Sequence, residues 1–113
     1  MEQLKQFNRV LTEFLDALVD AFPSHAFLKT LAVSTKAVMS NNATLPMRTF
    51  VESLSPYADQ VKAKNAKFFI DNAHAIPFMR ELRINEIFHA ADDDNKAVIW
   101  KYIRTLCILS KVI

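Results

Sequence analysis

Leu4, Phe7, Leu11, Phe14, Leu18 and Phe22 recur at steps of three and four, with Val10, Leu15 and Val19 widening the stripe. At the helical angular step, Arg9, Thr12, Glu13, Asp16 and Asp20 fall on the opposite side. The pattern predicts an amphipathic helix over residues 1–22 with about half its circumference apolar. Pro23 ends it, because the residue before a proline is pushed out of the α region.

Ser24 reads as the N-cap of a second helix reaching about residue 40, which carries Phe27, Leu28, Leu31, Val38 and Met39. Asn41-Asn42 reads as its stop, since asparagine tolerates the left-handed conformation. Thr44 and Pro46 open a short third helix through Leu54. Ser55-Pro56 then sets a cap followed by proline at the first helical position, starting a fourth helix to about Ala63. That helix either bends or continues through Asn65 into Lys67-Phe68-Phe69-Ile70. Asn72 to Pro77 reads as a turn, Phe78 to Ile84 as a short helix or an extended connection, and Ile87-Phe88 as one helical turn. The arrangement of residues 56–90 stays open at this level.

Asp92-Asp93-Asp94 precede a helix over about residues 94–111, where carboxylates cap free N–H groups and meet the positive end of the helix dipole. Val98, Ile99, Tyr102, Ile103, Leu106, Leu109 and Ile113 share one broad face, with Trp100 and Cys107 at its margin. A stripe this wide is that of a helix surrounded by others. The whole pattern predicts an all-α fold: one domain over residues 1–113, a compact bundle of about five helices around a central C-terminal helix.

Composition sharpens this reading mainly by exclusion. Hydrophobic residues make up 51% of the chain and charged residues 23%, enough for a core and a solvated surface. There is no glycine. Phosphate-binding P-loops, dinucleotide-binding turns, nucleophile elbows and EF-hand loops all lack their key residue. The net charge of +2 divides unevenly: five basic and six acidic residues through residue 60, nine and six beyond it. Nucleic-acid binders usually present a denser basic face than that. The lone cysteine, Cys107, cannot pair within the chain, and the charged N-terminal residues do not resemble a secretory signal. No apolar stretch approaches the roughly 20 residues of a membrane span. The expectation is a cytoplasmic protein without membrane insertion.

Each cluster with chemical potential has a structural explanation beside it. His89 with Asp92, Asp93 and Asp94 could bind a divalent cation, but adjacent acids diverge and no further ligand stands at a recognised spacing. An exposed helix cap beside a surface histidine is the favoured reading. His25 and His74 read as solvated turn residues, and Cys107 as a small core residue. No catalytic residue, metal ligand or cofactor site emerges. Lys62, Lys64 and Lys67 before Phe68-Phe69 could form a basic, aromatic surface for single strands. The favoured alternative has the lysines in water and the rings in the core. Arg80 and Arg83 near Phe78 and Met79 form a second patch, of the composition typical of protein interfaces. The first helix carries acids on its polar face, unlike helices that lie on membranes. A protein partner or self-association is thus expected ahead of a nucleic acid, with Arg80, Arg83, Phe78, Lys62, Lys64 and Lys67 as partner-binding residues.

Two segments carry a resemblance: residues 14–23, Phe-Leu-Asp-Ala-Leu-Val-Asp-Ala-Phe-Pro, and residues 99–106, Ile-Trp-Lys-Tyr-Ile-Arg-Thr-Leu. Together they resemble small, largely uncharacterised helical proteins of large nucleocytoplasmic DNA viruses. Those pair an N-terminal helix ending in Phe-Pro with a C-terminal helix containing Ile-Trp-Lys-Tyr-Leu. Here Ile103 replaces that leucine, and Ser24 follows Phe-Pro where an acid is usual. The likeness covers the two ends, and the middle only by helical rhythm. It implies a viral product in the cytoplasm of the host cell, and carriage in the virion, but supplies no catalytic residue.

Overall fold

The computed structural model describes residues 2–113, and every regular element among them is helical. In order these are α1 (Glu2–Ala21), α2 (Ala26–Asn41), α3 (Leu45–Leu54), α4 (Ala58–Lys62), α5 (Ala66–Asp71), α6 (Pro77–Glu81), α7 (Ile84–Ala90) and α8 (Asp93–Leu109). Two 3₁₀ turns, Ser55–Tyr57 and Ala73–Ala75, join the short central helices. The radius of gyration is 13.2 Å, matching the roughly 13 Å of a compact domain of this length. The all-α bundle is as the pattern predicts, with the expected middle helices divided into shorter pieces.

The α1 stripe works as its periodicity demands. Phe7, Leu11, Phe14, Leu15 and Leu18 are buried, and the helix packs against α2, α3 and α8. Each such side chain contributes about 1.5–3 kcal/mol through burial. Helix α8 buries Ile99, Ile103, Leu106 and Cys107. Its inward face is therefore turned from the one the wheel favours: Val98 is 47% exposed, while Cys107 is fully enclosed. Trp100 meets Phe69 of α5 at 5.5 Å and Phe88 of α7 at 5.8 Å, and Tyr102 stacks on Phe14 at 5.1 Å. Helices α1 and α8 thus share the middle of the core.

Capping follows the sequence at one end of the chain and departs from it at the other. Asp92 Oδ1 accepts the Asn95 N–H at 2.8 Å, so the acidic run opens α8 as expected. Ser24 does not cap α2; His25 holds that position and makes no side-chain cap, while Ser24 Oγ lies 3.5 Å from His25 Nδ1. Asn42 ends α2 in extended rather than left-handed backbone, at φ −149°.

Basic residues take the left-handed positions instead: Lys64 (φ 55°), Arg83 (φ 49°) and Lys111 (φ 63°). After α4, Lys64 N–H donates to the Val61 carbonyl and Asn65 N–H to the Gln60 carbonyl. After α8, Lys111 N–H donates to the Ile108 carbonyl and Val112 N–H to the Cys107 carbonyl. Both are Schellman-type stops in which lysine stands where glycine is usual. The first resolves the open question around residue 64. The chain turns there, and Asn65 Oδ1 accepts the Phe68 N–H at 3.2 Å to begin α5.

Candidate functional site

Helix α2 encloses few of its large apolar side chains. Only Leu28 and Ala32 are enclosed, whereas Val33 and Val38 are 62% and 39% exposed. The helix leans on α1 and is less closely joined to α3, which leaves a trough between them. Leu11 and Leu15 of α1 form its floor. Leu31, Thr35 and Val38 of α2 make one wall, with Pro46, Thr49 and Phe50 of α3 and Pro77, Phe78 and Leu82 at α6 opposite. The groove encloses about 330 Å³, at the small end of the range for ligand pockets. That size suits apolar side-chain anchors better than a large cofactor. Glu81 is the one ionisable side chain among the described residues lining it.

The far wall is held in place by aromatic edges and one buried hydroxyl. Phe50 meets Phe7 at 5.3 Å and Phe78 at 4.8 Å, both edge to face, so one chain of rings links α1, α3 and α6. Ser53 is buried, and its Oγ accepts the Phe78 N–H at 3.0 Å. Pro77 and Phe78 occupy the first turn of α6, where N–H groups have no intrahelical acceptor. Pro77 has no N–H to satisfy, and Ser53 satisfies the next one from another helix. This sets the position of the short helix that carries Glu81.

The sequence-predicted residues disperse relative to this groove. Phe78 lines it, half-buried. Arg83 does not; its guanidinium lies over the Phe27 ring, 4.3 Å from the centroid. Arg80 is exposed on α6. Lys67 pairs with Asp71 at 2.8 Å along α5, and the hydrogen bond and charge of that carboxylate raise its pKa. Lys62 is exposed at the end of α4, and Lys64 lines a second hollow beside α8. Lys67 and Arg83 thus each have a partner within the chain.

No group of three or more His, Cys, Asp or Glu among the described residues is placed to hold a metal ion. Asp92 is engaged as a cap, and Asp93, Asp94 and His89 are exposed. Cys107 is fully enclosed, and burial pushes its thiol up to about 12 although nearby Arg104 pulls the other way. A thiol so disposed stays protonated at neutral pH and is a poor nucleophile. No described helix is long and apolar enough to cross a membrane.

Sequence reasoning named Phe78 but missed the rest of the groove. Its signal was the weak apolar face of α2, where Ser34, Thr35 and Lys36 interrupt the hydrophobic positions. Set against protein-family models, curated proteins and solved structures, the chain matches none.

Proposed function

We propose that this chain is a non-enzymatic helical interaction module whose α2–α3–α6 groove receives an amphipathic helix of a protein partner. The carrying observation is a trough with a leucine floor, walls of apolar and hydroxyl side chains, and a single carboxylate. Helix-in-groove recognition uses such a surface: apolar anchors at i, i+3 or i+4, and i+7 enter it while the polar face stays in water. Glu81 favours a partner with a lysine or arginine beside those anchors. The likeness of residues 14–23 and 99–106 to small proteins of large DNA viruses supports a viral origin. The partner would then be met in the host cytoplasm or in the particle.

A photo-reactive residue in place of Thr49, exposed in the groove wall, tests this in infected cells. The expected product is a cross-link to an amphipathic, basic segment of another protein, absent when the reporter replaces Glu86 of α7 instead. Equal yields from both positions, or cross-links only to a second copy of this chain, would refute the reading.

A further inference from the structure

Beside α8, and sharing no lining residue with this groove, lies a second hollow of about 440 Å³. Lys64, Lys101 and Arg104 line it, together with Trp100, Ala97 and Ile108. No carboxylate lines it, and none of the three basic residues forms an ion pair among the described residues. Three cations brought to one hollow repel one another unless an anion joins them. Trp100 Nε1 and Arg104 Nε beside it donate to no acceptor among the described residues and so leave both side chains untethered by polar contacts within the chain. Lys64 reaches the hollow from a left-handed turn at φ 55°. The turn that stops α4 therefore also delivers a charge to α8. Ala97, the 57% exposed Ile108 and the half-buried indole of Trp100 supply an apolar side.

We infer that this hollow binds a phosphate monoester carrying an apolar or aromatic substituent. The phosphate sits among Lys64, Lys101 and Arg104, and the substituent lies along Trp100 and Ile108. This site is independent of the groove. Its three cations serve the phosphate group and its apolar side serves the substituent, so both parts of the ligand contribute to affinity.

Trp100 is the chain's one tryptophan, so its fluorescence reports this site directly. Phenyl phosphate is the probe, with inorganic phosphate and phenol as its two halves. Saturable quenching by phenyl phosphate, at least about tenfold tighter than by either half, is expected. Affinity should fall at least about tenfold in the double variant Lys64→Asn, Lys101→Gln, and with rising salt. Both side chains are exposed, and asparagine tolerates the left-handed turn, so the variant keeps its fold, which circular dichroism checks. Non-saturating quenching, equal binding of phenol, equal binding of inorganic phosphate, or unchanged affinity in the variant would overturn the assignment. So would co-sedimentation with phosphatidylserine vesicles, whose headgroup is a phosphodiester, in the absence of phenyl phosphate binding, which would make the patch a surface for anionic membranes.

Discussion

Replacing Ser53 with alanine tests whether one hydroxyl fixes the far wall of the groove. The Ser53 side chain is buried and accepts the Phe78 N–H at 3.0 Å. Ser53→Ala removes one small atom, so the cavity contribution is minor. The cost comes from an N–H left without an acceptor in a half-buried position, about 1–3 kcal/mol. A figure of about 1.5 kcal/mol is appropriate, because Phe78 retains some access to water. Unfolding entropy is about 2.1 cal/mol/K per residue, or roughly 0.24 kcal/mol/K for 113 residues, so Tm should fall by about 6 °C. The loss is also local. Hydrogen exchange at the Phe78 amide should accelerate about tenfold or more, while amides in the middle of α1 quicken only by as much as global stability falls. A Tm change below about 2 °C with the Phe78 amide still protected would refute the claim that Ser53 positions α6.

Four further outcomes follow from the same structure. Val38→Asp should abolish the Thr49 cross-link while leaving Tm within a few degrees, because Val38 is already 39% exposed. Asp92→Ala should destabilise by about 1 kcal/mol in thermal unfolding, through loss of the 2.8 Å cap on Asn95. Lys111→Gly should stabilise by about 1 kcal/mol, since glycine carries no left-handed penalty at φ 63°. The buried thiol predicts an alkaline effect: Cys107 keeps its proton to about pH 12 when folded but loses it near its ordinary 9.0 when unfolded. The unfolded chain binds fewer protons between those values, so stability should fall as pH rises from about 9 towards 12, a slope that Cys107→Ala lessens.

The long helices were legible because their apolar spacing runs for many turns. From Phe7 to Leu18 each inward position of α1 reinforces the next, and Asp92 marks the start of α8 by its chemistry alone. Residues 56–90 were not legible in the same way. Helices of five to seven residues hold too few inward positions to set a phase, and Val61, Phe69 and Met79 each stand nearly alone as buried residues of their segments. Their stops were hidden too, because the left-handed turns fall on Lys64 and Arg83, side chains that carry no turn signal. The groove arises from a failure of periodicity: α2 buries only Leu28 and Ala32, and it takes a fold around it to show where its remaining face looks. The second hollow depends on Lys64 meeting Lys101 and Arg104 across the chain, a meeting no linear spacing encodes.

The pairing of α1 with α8 bears on how the protein is made. The two are separated by residues 22–92, which take roughly 4–14 s to synthesise at 5–20 residues per second. Throughout that interval α2 and α3 can cover part of α1, but Phe14 lacks the Tyr102 ring that stacks on it in the finished fold. The emerging polypeptide is then open to aggregation or to capture by a chaperone, and its fold completes only once α8 has left the ribosome.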